Sequence, residues 1–392
     1  MRIPLLIVGG GIGGMSAAVA LAHAGFAVHV VEQASEFSEI GAGIQLAPNA
    51  MRILDGLGLL SEISKIAVQP SSLIFHDIDT GAKLTTVDMG EPFIQRYGYP
   101  YTVLHRGDLL EVLLAACRAN DRITLEPNKA MTDISDQGDW ARVEFADGTS
   151  YECDAVVGAD GLWSKTRCLV SDDQPVCSSY VAYRGAVPIA DLPVRHDDDA
   201  EIIWIGPDRH LVQYPIRGGE LYNQVAVFHS HRYRPGMEND TDWGTPDELD
   251  EHFGVACEQV RASVTLFKRE RRWPMFDREP IDNWTTGRIT LLGDAAHPML
   301  QYLAQGACQA IEDAGCLAEY MVKHDGDIVE AFASYQQDRL PRTAEVQTIA
   351  RAWGEIWHAS DAIVPALRNR VLARSSDENY ADLDWLYQAK VL

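Results

Sequence analysis

An apolar run, Ile3 to Val8, ends in Gly9-Gly10-Gly11-Ile12-Gly13-Gly14, and no other stretch restricts the fold as much. A strand that feeds a turn of glycines leaves room for a close-packed helix and for a ligand that approaches the backbone. Gly9 suits the tight turn, Gly11 admits a pyrophosphate, and Gly14 lets helix and strand pack closely. Ser16 to Ala24 reads as the helix, stopped by Gly25, and Ala27 to Val31 reads as a second strand with Glu32 at its end. Both strands are continuously apolar, the mark of a parallel sheet covered on two faces, and Pro4 is tolerable only near the strand start. The helix N-terminus offers unpaired N–H groups and a positive dipole end to phosphates. Glu32 can accept hydrogen bonds from both ribose hydroxyls of a bound nucleotide, and its carboxylate would repel a 2′-phosphate.

The whole chain of 392 residues has room for two domains or for one large domain with an insertion. A formal charge of −24 argues against nucleic acid as a partner and against attachment to anionic lipid by charge. No uncharged run approaches the roughly 18 residues of a membrane span, and the glycine motif begins too early to leave room for a leader. Seven scattered cysteines show no CxxC and no metal-ligand spacing, so reduced thiols in the cytoplasm and no metal site are expected.

Further strands are expected at Arg122–Glu126, Ala141–Phe145 and Ala155–Ala159, with an apolar helical face from Leu109 to Cys117. The pattern changes between Cys177 and Trp273. There Glu201–Ile205, His210–Ile216 and Leu221–Phe228 read as an antiparallel meander with turns at Gly206-Pro207-Asp208 and Arg217-Gly218-Gly219. Arg288–Leu292 returns to a buried strand, and a helix follows from about Ala307 to Met321. The fold class is therefore α/β: a Rossmann-like nucleotide-binding domain interrupted by a β-sheet domain, plus a C-terminal helical segment. The division assigns 1–70, 101–176 and 274–350 to the first, 71–100 and 177–273 to the second, and 351–392 to the third. Trp385, Leu386 and Tyr387 in that last segment would cap the core or pack between subunits.

A glycine motif alone does not separate FAD from NAD. Two later motifs do more: Asp160-Gly161-Leu162-Trp163-Ser164 with Arg167, and Gly293-Asp294-Ala295-Ala296-His297-Pro298. A carboxylate at Asp294 can bind a ribityl hydroxyl, a group that only a flavin has. Gly306 opens the next helix, whose N–H groups would stabilise negative charge on a reduced flavin ring. Taken singly, Asp294 is an ordinary helix cap and Asp160-Gly161 an ordinary turn.

The ordered set of three motifs, with His105-Arg106-Gly107-Asp108-Leu109 between the first two, resembles the single-component flavoprotein aromatic hydroxylases of the para-hydroxybenzoate hydroxylase fold. The resemblance runs from Arg2 to about Glu355 and implies an FAD-dependent monooxygenase. It implies FAD contacts at Gly9, Gly11, Gly13, Gly14, Glu32, Arg106, Asp294 and Gly306, with weaker ones at Gln45 and Met131. Asp160 matches an element that serves both FAD and the nicotinamide cofactor. NADH is implied as a transient co-substrate, since no second GxGxxG is present; a homodimer is a family-based expectation.

At the substrate end, Ala182-Tyr183-Arg184-Gly185, His210 to Pro215, Trp273 to Pro280 and Pro298 to Ala304 are similar to 3-hydroxybenzoate 6-hydroxylases. Salicylate 1-hydroxylases and hydroxynicotinate-type hydroxylases share much of this scaffold. On a period-two strand His210, Val212 and Tyr214 share one face, which presents an imidazole and a phenol side by side. The resemblance places His210 at the substrate hydroxyl with Gln301 beside it, and Tyr101 and Tyr214 where they orient the aromatic acid. It implies oxygen transfer from a flavin C4a-hydroperoxide, with His210 at near-neutral pKa removing the phenolic proton. The implied small aromatic acid is 3-hydroxybenzoate, converted to 2,5-dihydroxybenzoate; no arginine clamp for its carboxylate is evident. Met299, Gln305 and Cys308 depart from the family's usual residues. An NAD-dependent dehydrogenase or a flavin-binding sensor would leave the later motifs unexplained.

Overall fold

The computed structural model describes residues 2–38, 41–192, 199–361, 363–374 and 380–388. In chain order the strands are β1 (Arg2–Val8), β2 (Val28–Val31), β3 (Gly43–Leu46), β4 (Ser72–Asp77), β5 (Lys83–Asp88) and β6 (Thr102–His105). Next come β7 (Ile123–Glu126), β8 (Met131–Asp136), β9 (Ala141–Phe145), β10 (Ser150–Gly158), β11 (Val176–Pro188) and β12 (Ala200–Gly206). The series ends with β13 (Arg209–Ile216), β14 (Leu221–His229), β15 (Trp273–Asp277), β16 (Thr285–Thr286) and β17 (Ile289–Leu291).

The first sheet runs β16-β17-β10-β1-β2-β7, with β8 and β9 attached to the first half of β10. β1 lies parallel to both β2 and β10, and β10 lies parallel to β17. Helix Ile12–His23 is almost wholly buried. It packs against helices Arg106–Arg118 and Gly306–Lys323, and its alanines and glycines permit the close approach. Gly9 has a φ of 111°, and a Cβ at Gly14 would collide with the Gly9 carbonyl oxygen. Both glycines are thus required by the junction itself.

The second sheet runs β15-β11-β14-β13-β12-β4-β5 and takes strands from two distant parts of the sequence. Every residue of β12 and β13 is buried, because both faces are covered. Trp204, Leu211 and Phe228 pack on one side with Trp243 and with helices Pro246–Phe253 and Glu258–Val264. His210, Val212 and Tyr214 point to the other side, toward the first sheet and its cavity.

Gly293–Ala295 and Gln301–Leu303 are single 3-10 turns, and the α-helix begins only at Gly306. Helix Ile328–His358 then runs unbroken across positions 350 and 351. An ion cluster ties the two helices together: Arg339 donates to Glu312 (2.5 Å) and Asp313 (2.7 Å), Arg342 to Glu312 (2.7 Å), and His297 meets Asp313 at 2.6 Å. Near the C-terminus Leu386 and Tyr387 are buried in the main core, and Arg342 donates to the carbonyls of Trp385 and Leu386. These residues cap the core of their own chain. Among the described residues no helix is long and apolar enough to cross a membrane.

Candidate active site

Between the two sheets lies a cavity of about 430 Å³, within the usual range for a small-molecule site. Gly11, Gly13, Gln45, Arg106, Asp294 and Gly306 line one part of it, and His210, Tyr214 and Gln301 another. Gly11 is the N-cap of helix Ile12–His23 and supplies no side-chain cap. Helix Gly306–Lys323 also starts without one. Each therefore presents unpaired N–H groups to the cavity, one suited to a pyrophosphate and the other to a ring that becomes anionic. The Glu32 carboxylate accepts from the N–H groups of Gly10 (2.8 Å) and Ala34 (2.9 Å), which holds it at the glycine turn. Asp294 is exposed at the cleft beside Gly306. These features fit an FAD lying from the glycine turn to the start of helix Gly306–Lys323.

Other expected contacts stand farther back. Asp160 accepts from Ser164 Oγ (2.6 Å) and from the N–H groups of Lys165 (2.8 Å) and Thr166 (3.1 Å), so it organises its own turn. Met131 is buried in β8 and outside the cavity lining; only its carbonyl is engaged, by Lys165 Nζ at 2.9 Å. Tyr101 stands one layer behind the wall, where its hydroxyl donates to Gln45 Oε1 at 2.6 Å.

The register of the second sheet sorts the substrate wall into rows. Ile205, His210 and Val227 form one row, Ile203, Val212, Val225 and Arg184 the next, and Glu201, Tyr214 and Asn223 a third. His210 and Tyr214 share a face, but they are not side by side. Val212 stands between them, and two residues of strand separate successive rows by about 7 Å. The two groups serve opposite ends of the cavity.

His210 is 1% exposed. Its Nδ1 meets His358 Nε2 at 2.7 Å, and its Nε2 meets Gln301 Nε2 at 3.4 Å. Burial pushes the imidazole down to about 3 rather than leaving it near neutrality. It is therefore a neutral ring near neutral pH, with one nitrogen able to accept. Gln301 Oε1 in turn accepts from Arg184 Nη2 at 2.7 Å.

Arg184, Glu201, Trp357 and His358 are the residues that sequence reasoning missed. The Arg184 guanidinium faces the cavity with a buried Nε that has no hydrogen-bond partner, and no carboxylate pairs with it among the described residues. Burial, then the nearby charge of Arg106, lowers its pKa. Glu201 accepts from Gln45 Nε2 at 2.7 Å through one oxygen, and the other has no partner. Burial pushes this carboxyl up to about 8, so it is largely protonated at neutral pH and able to donate. The Trp357 indole N–H lies at the cavity wall without a partner. Met299 and Gln305 also line the cavity, whereas Cys308 is buried next to it.

The sequence pattern of the FAD binding domain family matches residues 2–350. The chain belongs to this family. It is 40% identical over 387 residues to 3-hydroxybenzoate 6-hydroxylase of Polaromonas naphthalenivorans, covering 98% of this chain and 96% of that protein. It is 36% identical to 3-amino-4-hydroxybenzoate 2-monooxygenase of Streptomyces cremeus, covering 98% and 95% respectively. Its fold superposes on that of Klebsiella pneumoniae HpxO, crystallised with FAD and uric acid, with a TM-score of 0.83, 25% identity and coverage of 96% and 94%. The protein is an FAD-dependent aromatic hydroxylase of the monooxygenase type.

Proposed function

We propose that this hydroxylase converts 3-hydroxybenzoate, NADH, O₂ and a proton to 2,5-dihydroxybenzoate, NAD⁺ and water. The observation that carries the reading is the wall itself, which joins a neutral imidazole acceptor to a guanidinium lacking a carboxylate through one amide, Gln301. A ring bearing a hydroxyl and a carboxylate can meet both groups while lying over Ile203, Val212 and Val225. Likeness to 3-hydroxybenzoate 6-hydroxylases over nearly the whole chain supports the choice of isomer.

A bound FAD would supply hydride-accepting redox chemistry and the activation of O₂, from which the transferred oxygen atom comes. His210 Nε2 accepts the phenolic proton, which makes the carbons ortho and para to the hydroxyl electron-rich. Arg184 and Tyr214 orient the carboxylate, and Ile203, Val212, Val225 and Trp357 keep water from the ring. Gln45, Arg106, Asp160 and Asp294 serve the cofactor side. A second reading is favoured by the open oxygen of Glu201, which suits a ring carrying an additional amino group.

The test is NADH oxidation by the FAD-loaded protein across hydroxybenzoates and 3-amino-4-hydroxybenzoate, with aromatic product and peroxide quantified. Stoichiometric 2,5-dihydroxybenzoate supports the first reading, an aminated product the second, and catechol with CO₂ would identify a decarboxylating hydroxylase. His210→Ala should retain FAD and lose hydroxylation by roughly 100-fold or more, with flavin reduction far less affected. Full coupling in that variant would sink the assignment of the base.

A further inference from the structure

We propose that His358 is a positioning residue that locks His210 in the tautomer whose Nε2 lone pair faces the substrate hydroxyl. The inference rests on His210 being the phenol's proton acceptor. It follows from hydrogen-bond direction. Arginine can only donate, so the 2.7 Å bond from Arg184 Nη2 identifies the Gln301 atom it meets as the amide oxygen. The Gln301 NH₂ group then points at His210 Nε2 across a long 3.4 Å contact, so Nε2 is the acceptor, and a phenolic hydroxyl can displace the amide from its lone pair. A neutral imidazole that accepts at Nε2 carries its proton on Nδ1, and that proton is directed at His358 Nε2, 2.7 Å away. His358 accepts there and so holds its own proton on Nδ1, which has no partner. The donors run in one direction, Arg184 to Gln301 to His210 to His358.

His358 is itself fixed. It is 4% exposed and lies at the last turn of helix Ile328–His358. Its ring stacks on Tyr180 of β11 at 4.5 Å and meets Tyr302 edge-on at 5.4 Å. The charged and titratable groups that face it are His210 of β13, His229 of β14, Tyr180, Tyr302, and Arg368 of helix Val364–Leu372. Arg368 is anchored by donating to the Trp357 carbonyl at 2.8 Å. Burial first, then His210, His229 and Arg368, lowers the His358 pKa, and among the described residues no carboxylate bonds to either ring. A carboxylate in this place would orient the base and also stabilise its charged form. A neutral imidazole orients without doing so, and the proton on His210 is balanced only by the phenolate in front of it.

The experiment uses FAD-loaded wild type, His358→Phe and His358→Gln. Phe keeps an aromatic ring against Tyr180 but accepts no hydrogen bond, whereas Gln restores an acceptor oxygen. Phe should keep FAD content and substrate-stimulated flavin reduction, yet lower product per NADH at least roughly tenfold with matching peroxide; Gln should recover most of it. Equal losses in Phe and Gln, or full coupling in Phe, would overturn the proposal. Independently, ¹⁵N-histidine NMR of substrate-free wild type should show His210 protonated at Nδ1 and bare at Nε2. The reverse tautomer would also overturn it. Failure of wild type to hydroxylate any hydroxybenzoate would refute the proposed function instead, while the NMR result would still decide the tautomer.

Discussion

The cavity wall and the ion cluster beneath helix Gly306–Lys323 are both buried and both rich in titratable groups, yet they are built on opposite rules. In the cluster every charge meets a countercharge. Burial alone would push the Asp313 carboxyl up, but His297 and Arg339 hold it at about 2, and Arg339 and Arg342 likewise lower Glu312. At the wall, His210, Glu201 and Arg184 lack any such partner, and burial drives each toward its neutral form. Pairing makes the first region a fastening. Lack of pairing leaves the second with hydrogen-bonding capacity that only a ligand satisfies.

The sharpest way to break the comparison is to unpair the fastening. Arg339→Met should cost about 3–5 kcal/mol in denaturant unfolding of the FAD-loaded protein, because two carboxylates lose their guanidinium. A loss near zero would mean the cluster is not structural. Arg184→Met should leave stability almost unchanged but weaken aromatic carboxylate binding by roughly 10- to 100-fold, the weight of a charge-assisted hydrogen bond. Titration of flavin absorbance with benzoates would measure it, and unaltered affinity would detach Arg184 from the carboxylate.

Smaller effects lie in the pH dependence, where the two ends of the wall have opposite signs. Glu201 has a folded pKa near 8, above its unfolded value, so its contribution is complete in acid and is lost as pH rises through 8. His210, near 3 when folded and 6.5 when unfolded, costs stability as pH falls through 6.5 toward 3. Each slope is at most about 1.4 kcal/mol per pH unit. Thermal unfolding of Glu201→Gln should flatten the loss of stability between pH 4.5 and 8, and His210→Gln the loss between pH 6.5 and 3. A pH profile unchanged by both substitutions would show that the wall titrates like the paired cluster.

Local signals made part of this legible in the sequence. The glycine turn, the apolar strands around it and the period-two face of β13 need only neighbours a few residues apart, so His210 and Tyr214 could be assigned to one side. The two are not neighbours, because the Val212 row lies between theirs and sets them two rows apart. The partners of His210 were hidden for another reason: His358 is 148 positions away and reaches it only through the end of a long helix. Glu201 looked like the polar start of an alternating strand, since nothing local reveals that both faces of β12 are covered. Arg184 stood in a noted motif, but its lack of an ion-pair partner exists only in three dimensions. Met131 and Tyr101 show the converse, with matching sequence positions that lie behind or outside the lining.

Helix Ile328–His358 also sets a timetable for biosynthesis. The first sheet receives β17 late, against a β10 made more than a hundred residues earlier, and the base receives its orienting imidazole later still. A ribosome translating this chain has therefore completed the glycine turn long before any binding cavity exists. The nascent protein must carry half-covered strands until residue 358 emerges, so assembly of the substrate wall waits for the far end of that helix to leave the ribosome.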